Sequence, residues 1–336
     1  MIRIFVILKS ICISHKEDVD GIVSAALLQA GLKVRHLFLV DYPNLLNSLD
    51  YVISMCSKDR TFTRVFICDV GLNMKNQFLF LEKLNLLVSN NIKVIYIDHH
   101  YLEPAIKDKI TKMGITLIHD IDECTSVQIY YLLRNRMDKV YSFFASAGAL
   151  TDYMEDRPRA RRLVNKFDRT FLMLESCYLS YMISASQKNI DFLKSISKDI
   201  SKGIMPHELK HGCNLVRQFS QKVSDAISLI EKQSIHLANI SYFEHELELS
   251  SSMIVNFVLG LSGKKVGIAF KMKSNINSYI LSIRGSKECQ VHLGKLVNNL
   301  SMDFGGSGGG HEKACGAVIP IENISAFLEK LDELIC

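Results

Sequence analysis

The sequence predicts an α/β protein: an N-terminal, mostly parallel sheet with helices on both faces, a helical connector, and a smaller C-terminal α/β domain. Three observations lead there. Near-continuous apolar, β-branched runs alternate with helical stretches through the first half of the chain, the pattern of a parallel sheet covered on both sides. From Val140 to about Ile200 the pattern turns helical. After Ile240 strand-like runs return. A length of 336 residues holds two cores of ordinary size, and the expected division is 1–190, 191–240 for the connector and 241–336.

The first strand is expected over Ile2–Ile13, an apolar run that Arg3 and Lys9 interrupt and that is too short to span a bilayer. It leads into a charged motif without a small-residue cleavage signal, so it reads as a strand and not as a leader. Further strands are expected at Val34–Val40, Arg64–Asp69 and Val94–Ile97, with a shorter one near Thr116–His119. Helical segments at Val23–Gln29, Gln77–Leu87 and Ser126–Leu133 lie between them. A long helix at Asn214–Gln233 belongs to the connector. The C-terminal domain is expected to hold strands at Met253–Leu259, Lys265–Lys271 and Ser278–Arg284, and a helix around Val291–Leu300. The glycine-rich loop FGGSGGGHEKACG follows, then a strand at Ala317–Ile319 and a helix from Ile324.

Composition narrows the function. Hydrophobic residues at 48% and charged residues at 22% are globular values, not those of a disordered chain. The formal charge of +5 is mildly basic and suits an anionic substrate. Nine cysteines without a Cys-x-x-Cys pair point to reduced, mostly buried thiols and a cytoplasmic setting. No other stretch reaches membrane length without charge, so a membrane role is not expected.

The chemistry sits at strand ends, where ligands of open α/β sheets bind. SHKEDVDG supplies His15, Asp18 and Asp20; VFICDVG supplies Asp69; VIYIDHH ends in Asp98, His99 and His100; GALTDY supplies Asp152; and GGGHEKACG supplies His311. An aspartate after a strand is commonly a helix cap or a turn residue. Several carboxylates and imidazoles converging on one sheet edge would repel and desolvate one another unless cations compensate them. Mixed His and carboxylate donors suit Mn²⁺, Zn²⁺ or Fe²⁺ better than Mg²⁺.

His15…Asp18-x-Asp20-Gly21, the Asp98-His99-His100 triplet and the terminal GGGHEKACG resemble the DHH family of phosphoesterases, in its RecJ-like and nanoRNase-like branch with a DHH-associated C-terminal domain. The resemblance covers nearly the whole chain, in the family's order. It implies two divalent ions, usually Mn²⁺, bridged by Asp69. One would be held by His15, Asp18 and Asp69, the other by Asp20, Asp69, His99 and Asp152. His100 would assist the phosphate and not ligate, with Asp98 orienting an imidazole. The C-terminal domain would close over the cleft, its loop glycines Gly308, Gly309 and Gly310 with His311 and Arg284 contacting phosphate. Two residues, Lys16 and Glu17, separate His15 from Asp18 where many relatives have one. Keeping the Asp-x-Asp-Gly phase favours Asp18 as ligand over Glu17. Cys315 stands where alanine is usual, and is small enough to leave the loop intact.

The resulting expectation is a two-metal exonuclease acting on single-stranded RNA or DNA or on short oligonucleotides, as a monomer or dimer, with a replication or RNA-decay protein as a further partner. A small-nucleotide phosphatase or a cyclic-dinucleotide or dinucleotide phosphodiesterase on the same core is the enzymatic alternative. A non-catalytic nucleic-acid-binding or scaffold subunit is the other, and it would predict lost ligands. The basic run Arg157–Arg162 reads as a solvated helix face before it reads as a nucleic-acid path.

Overall fold

The computed structural model describes residues 8–72 and 76–335. The part of the expected first strand before residue 8 lies outside the described residues. The chain divides into two compact units between Phe219 and Ser220.

The first unit carries strands β1 (Lys9–His15), β2 (His36–Val40), β3 (Phe62–Cys68), β4 (Lys93–Asp98) and β5 (Thr116–His119). All pair in parallel, in the order β2-β1-β3-β4-β5. The helices are α1 (Val19–Leu32), α2 (Leu45–Lys58), α3 (Gln77–Ser89), α4 (Pro104–Lys112), α5 (Thr125–Leu133), α6 (Tyr141–Thr151), α7 (Pro158–Val164), α8 (Arg169–Ala185) and α9 (Ile190–Ile200). α10 (Gly212–Gln233) crosses the division between the units.

Strand residues alternate between two cores, as a period of two requires. Cys12, Phe66, Cys68, Ile95 and Ile97 pack with α1, α5, α6, α8 and α9. Ile11, Ile13, Val65, Ile67, Val94 and Tyr96 pack on the other face with α2, α3 and α4. The fully covered parallel sheet is therefore present as expected. Residues 190–200, assigned above mostly to the connector, lie against this sheet, with Leu193, Ile196 and Ile200 in its core. The strand order reverses between β1 and β3, the position at which such sheets open a crevice beyond the strand ends.

The second unit is a mixed sheet in the order β10-β11-β9-β8-β7-β6. Its strands are β6 (Ile235–His236), β7 (Ile240–Glu244), β8 (Val266–Lys273), β9 (Ser278–Gly285), β10 (Ser307–Gly310) and β11 (Ala314–Pro320). α12 (Leu293–Asp303) and α13 (Ile324–Leu334) pack on it around Ile283, Val297, Ile319 and Phe327.

Two local expectations are corrected. Met253–Leu259 is not a strand but the middle of α11 (Ser251–Ser262), capped by the Ser250 hydroxyl and ended by Gly263 at φ 64°. The glycine-rich segment is not an open loop: Ser307–Gly310 forms β10, antiparallel to β11. A Cβ at Gly308 would lie 2.9 Å from Val297 Cγ1, so this glycine lets α12 approach the strand. No described helix is long and apolar enough to cross a membrane.

Candidate metal centre

Every acidic or histidine residue expected as a metal ligand sits just beyond a strand's carboxyl end or at a helix end in the first unit. His15 closes β1 and is buried. Asp18 follows as the N-cap of α1, accepting from the Gly21 N–H at 2.8 Å. Its other oxygen lies 3.6 Å from His15 Nε2, whereas Glu17 is exposed. Asp20, in the first turn of α1, is fully buried and accepts the Thr125 and Ser126 N–H groups at 2.8 and 2.9 Å. It thus caps α5 from a distant part of the chain.

Asp69 follows β3 with φ 56°, a left-handed backbone that an aspartate tolerates better than most residues. Its Oδ1 accepts from the Thr125 hydroxyl at 3.2 Å and lies 3.3 Å from His99 Nε2. Asp152, the C-cap of α6, approaches the same His99 nitrogen at 3.5 Å. Asp98, fully buried at the end of β4, is 2.9 Å from His100 Nδ1. The Tyr96 hydroxyl is 3.3 Å from its other oxygen, and donates a shorter bond to the Val70 carbonyl at 2.7 Å.

The structure therefore brings His15, Asp18, Asp20, Asp69, His99 and Asp152 to one edge of the sheet, at the β1/β3 reversal. Burial first, then the charges of Asp18, Asp20 and Asp152, push the Asp69 carboxyl well above the ordinary carboxylate range. Burial, followed by Asp20 and Asp18, pushes Asp152 up to about 9. Burial lowers His99 despite these carboxylates and leaves its imidazole neutral, the form that binds metals. For His100 burial acts downwards, but the bond to Asp98 outweighs it and raises the imidazole.

Buried polar atoms without a hydrogen-bond partner include Asp69 Oδ2, Asp152 Oδ2 and His15 Nδ1. Unpartnered carboxylate oxygens facing other carboxylates are costly alone and are the donor set a divalent cation satisfies. The residues fit the divalent metals that the sequence implies. Among the described residues, two clusters have ligand atoms within 4.8 Å of one another: Asp69 with His99 and His100, and Asp20 with Asp152 and Cys124.

Cys124 was not singled out from the sequence, nor were Thr125 and Tyr42. The run DECTS before α5 carries a helix-start signal, and its first amides and hydroxyl are what reach Asp20 and Asp69. Tyr42 packs its ring 5.2 Å from His15 and its hydroxyl 3.5 Å from His100 Nε2. No motif announces it, since it arrives from the loop after β2.

In the second unit Arg284, next to last in β9, lies opposite Ala314, and its guanidinium donates to the Ser252 hydroxyl at 3.0 Å. His311 is exposed at the turn between β10 and β11, its N–H bonded to the Ala314 carbonyl at 2.8 Å. Gly309 and Gly310 hold φ of 147° and 146°, open to glycine alone. Arg157 pairs with Asp122 at 3.0 Å and Arg161 with Asp156 at 3.6 Å, which fits a solvated helix face.

Comparison with known proteins matches two family models: the DHH family, N-terminal domain, over residues 10–154, and the DHHA1 domain over residues 242–335. The first span contains all six metal-ligand candidates. The pGpG-specific phosphodiesterase PggH of Vibrio cholerae has the same fold at 12% identity, covering 96% of this chain and 98% of that one, with a TM-score of 0.60. Exonuclease RecJ, solved with manganese, has it at 14% identity over 97% and 89% of the two chains, with a TM-score of 0.56. The uncharacterised protein MJ0831 of Methanocaldococcus jannaschii is 28% identical over 130 residues, 38% of this chain, and the match spans 28% of that relative's length. With one family model on the unit that gathers the acidic cluster and the other on the second unit, the chain belongs to the DHH family of phosphoesterases and carries a DHHA1 domain.

Proposed function

We propose that the protein is a metal-dependent exonuclease that removes nucleotides from the ends of single-stranded nucleic acid or short oligonucleotides. The observation that carries this reading is the set of unpartnered, buried donors Asp69 Oδ2, Asp152 Oδ2 and His15 Nδ1 around a neutral His99. His15, Asp18 and Asp69 would hold one divalent ion, and Asp20, Asp69, His99 and Asp152 the other. Mn²⁺ is the ion we favour for this mixed donor set, and RecJ was solved with it. Bound divalent ions supply an activated water and charge neutralisation at phosphorus.

The remaining groups position and protonate. Asp98 fixes the His100 ring by accepting from Nδ1, which leaves Nε2 to donate to a phosphoryl oxygen. The bond to Asp98 raises the imidazole above its ordinary value, against burial, and so favours the protonated form that this donation needs. Gly71 is part of this seat, because a Cβ there would lie 2.9 Å from His100 Cγ. In the second unit, Arg284, His311 and the backbone of Gly308, Gly309 and Gly310 are the groups we assign to phosphate contacts.

A second reading, a dinucleotide phosphodiesterase, is favoured by the near-complete span shared with the pGpG-specific enzyme. End-labelled RNA and DNA oligomers from two nucleotides upwards, incubated with Mn²⁺, separate the two. Stepwise shortening of long strands supports the exonuclease, and turnover confined to dinucleotides supports the second reading. Inactivity at every length, with Asp69→Asn indistinguishable from wild type, rejects both.

A further inference from the structure

Beyond the metal centre, the first unit carries a basic groove along its edge strand. β2 ends the sheet, so among the described residues its outer side has no neighbouring strand. Three cavities follow it in sequence. One of about 470 Å³ is lined by Lys33, Arg35, Lys198 and Lys202 among others. The next, of about 480 Å³, shares Gln29, Arg35 and Lys198 with it and adds Lys194, Phe38 and Tyr51. The third, of about 540 Å³, shares Phe38 and Tyr51 with the second and ends at Lys16 and Asp41. Those last two residues adjoin His15 and Tyr42 in the chain. The strand flooring the groove has five residues, about 17 Å at about 3.3 Å per residue.

Among the described residues, the first two cavities have no acidic lining residue. Lys202 is paired with Asp199 at 2.7 Å, but Lys33, Arg35, Lys194 and Lys198 have no acidic partner among the described residues. Lys194 and Lys198 stand one turn apart on α9. Lys198 lies in that helix's last turn, where a cation also meets the dipole. Arg35 and Lys194 have no such local reason. Where the second and third cavities meet, Tyr51 is 61% exposed with its ring 5.7 Å from Phe38. Unpaired cations along a track with an exposed aromatic ring are the features that bind a single strand, through its phosphates and one stacked base.

We infer that this groove is an accessory binding track for single-stranded nucleic acid, holding the part of a long substrate that lies away from the scissile end. The inference rests on the nuclease reading for its link to catalysis, but binding tests it independently. A neutral peptide strand added to the β2 edge would leave the four cations unmatched, and so the charge favours a polyanion.

The experiment compares wild type with the triple variant Arg35→Ala, Lys194→Ala, Lys198→Ala, and separately with Tyr51→Ala. Binding of fluorescent 24-nucleotide RNA and DNA strands is measured by anisotropy in EDTA, and turnover of dinucleotide and 24-nucleotide substrates in Mn²⁺. An unchanged thermal midpoint reports an intact fold. The triple variant is expected to bind the 24-mers about tenfold or more weakly, with the salt slope reduced by about 2 at roughly 0.7 per phosphate contact. Tyr51→Ala is expected to lose about fivefold, the low end for one stacked base. Dinucleotide turnover should stay unchanged while the 24-mer KM rises. Equal binding by wild type and both variants overturns the track. So does a loss confined to anionic phosphatidylserine vesicles, which assigns the groove to a lipid surface. If no substrate is turned over yet wild type alone binds the 24-mers in EDTA, the track stands and the nuclease reading fails.

Discussion

Asp20 and Asp69 both belong to the acidic cluster, yet their local partners differ enough to give opposite responses to mutation. Asp20 accepts two backbone N–H groups at the start of α5, so Asp20→Ala leaves those buried donors unpaired. We predict a loss of about 2–3 kcal/mol of stability even without metal, read from urea unfolding in EDTA. Asp69 has one oxygen without a partner and is surrounded by like charges. Asp69→Asn should leave the metal-free protein as stable or make it more so, while activity in Mn²⁺ falls more than about 100-fold, beyond the usual cost of an outer-shell change. A destabilised Asp69→Asn in EDTA would mean that the carboxylate is structural. Asp152 sets a pH dependence. Its folded pKa of about 9 lies far above the ordinary carboxyl value of 3.8, so the folded state holds a proton that the unfolded chain has released. That contribution is complete at low pH and is lost as pH rises from about 4 through 9. The raised Asp69 and His100 act in the same sense, and the depressed histidines His36, His99 and His245 in the opposite one, but only below their ordinary value of 6.5. In EDTA, stability should therefore fall between pH 7 and 9, and Asp152→Asn should flatten that fall. A wild-type profile that is level or rising there contradicts the assignment.

Helix α6 meets α5 over Gly148, at the level of the acidic cluster. A Cβ at Gly148 would sit 2.8 Å from Asp20 Oδ1 and closer still to the Ser126 hydroxyl, neither of which can move away freely. Alanine usually stabilises a helix interior by about 1 kcal/mol over glycine. Here Gly148→Ala should instead cost about 1–3 kcal/mol through overpacking and weaken Mn²⁺ binding, measured together by thermal shift with and without the ion. A gain in midpoint would show that α5 and α6 can separate at no cost. The sequence does not reveal that contact, because nothing local distinguishes Gly148 from a tolerated helix glycine. The parallel sheet was legible because its strands are apolar throughout, and the acidic residues were legible because strand ends place them. Met253–Leu259 misled, since a short apolar run with Val255 and Val258 reads equally as strand or helix. The deciding signals, Ser250 before it and Gly263 after it, lie outside the run. The glycines of β10 read as a loop because glycine is rare in strands. Their role against α12 depends on a partner that pattern alone does not supply. Tyr42, Thr125 and Cys124 were missed for the same reason: each reaches the cluster through tertiary packing.

At the scale of the whole molecule, all six candidate ligands fall between residues 15 and 152, within the first unit, and the second unit has a core of its own around Ile283, Val297 and Phe327. An ion that binds only the folded first unit stabilises that unit by mass action, about 2.7 kcal/mol at a hundredfold excess over its dissociation constant. Where the two cores open separately, amide protection should rise in one and not in the other. We predict that saturating Mn²⁺ slows hydrogen exchange in β1, β3 and β4 by about two orders of magnitude while β8 and β9 change by less than threefold. Asp69→Asn should erase the difference, because it removes the carboxylate that both ions would share. Two outcomes would be informative in the opposite direction. Equal slowing in both units would mean that the chain opens as a single cooperative body, so that α10, which runs across the division, transmits stability between the two cores. Slowing confined to β8 and β9 would place the ion in the second unit, contradicting the metal centre itself.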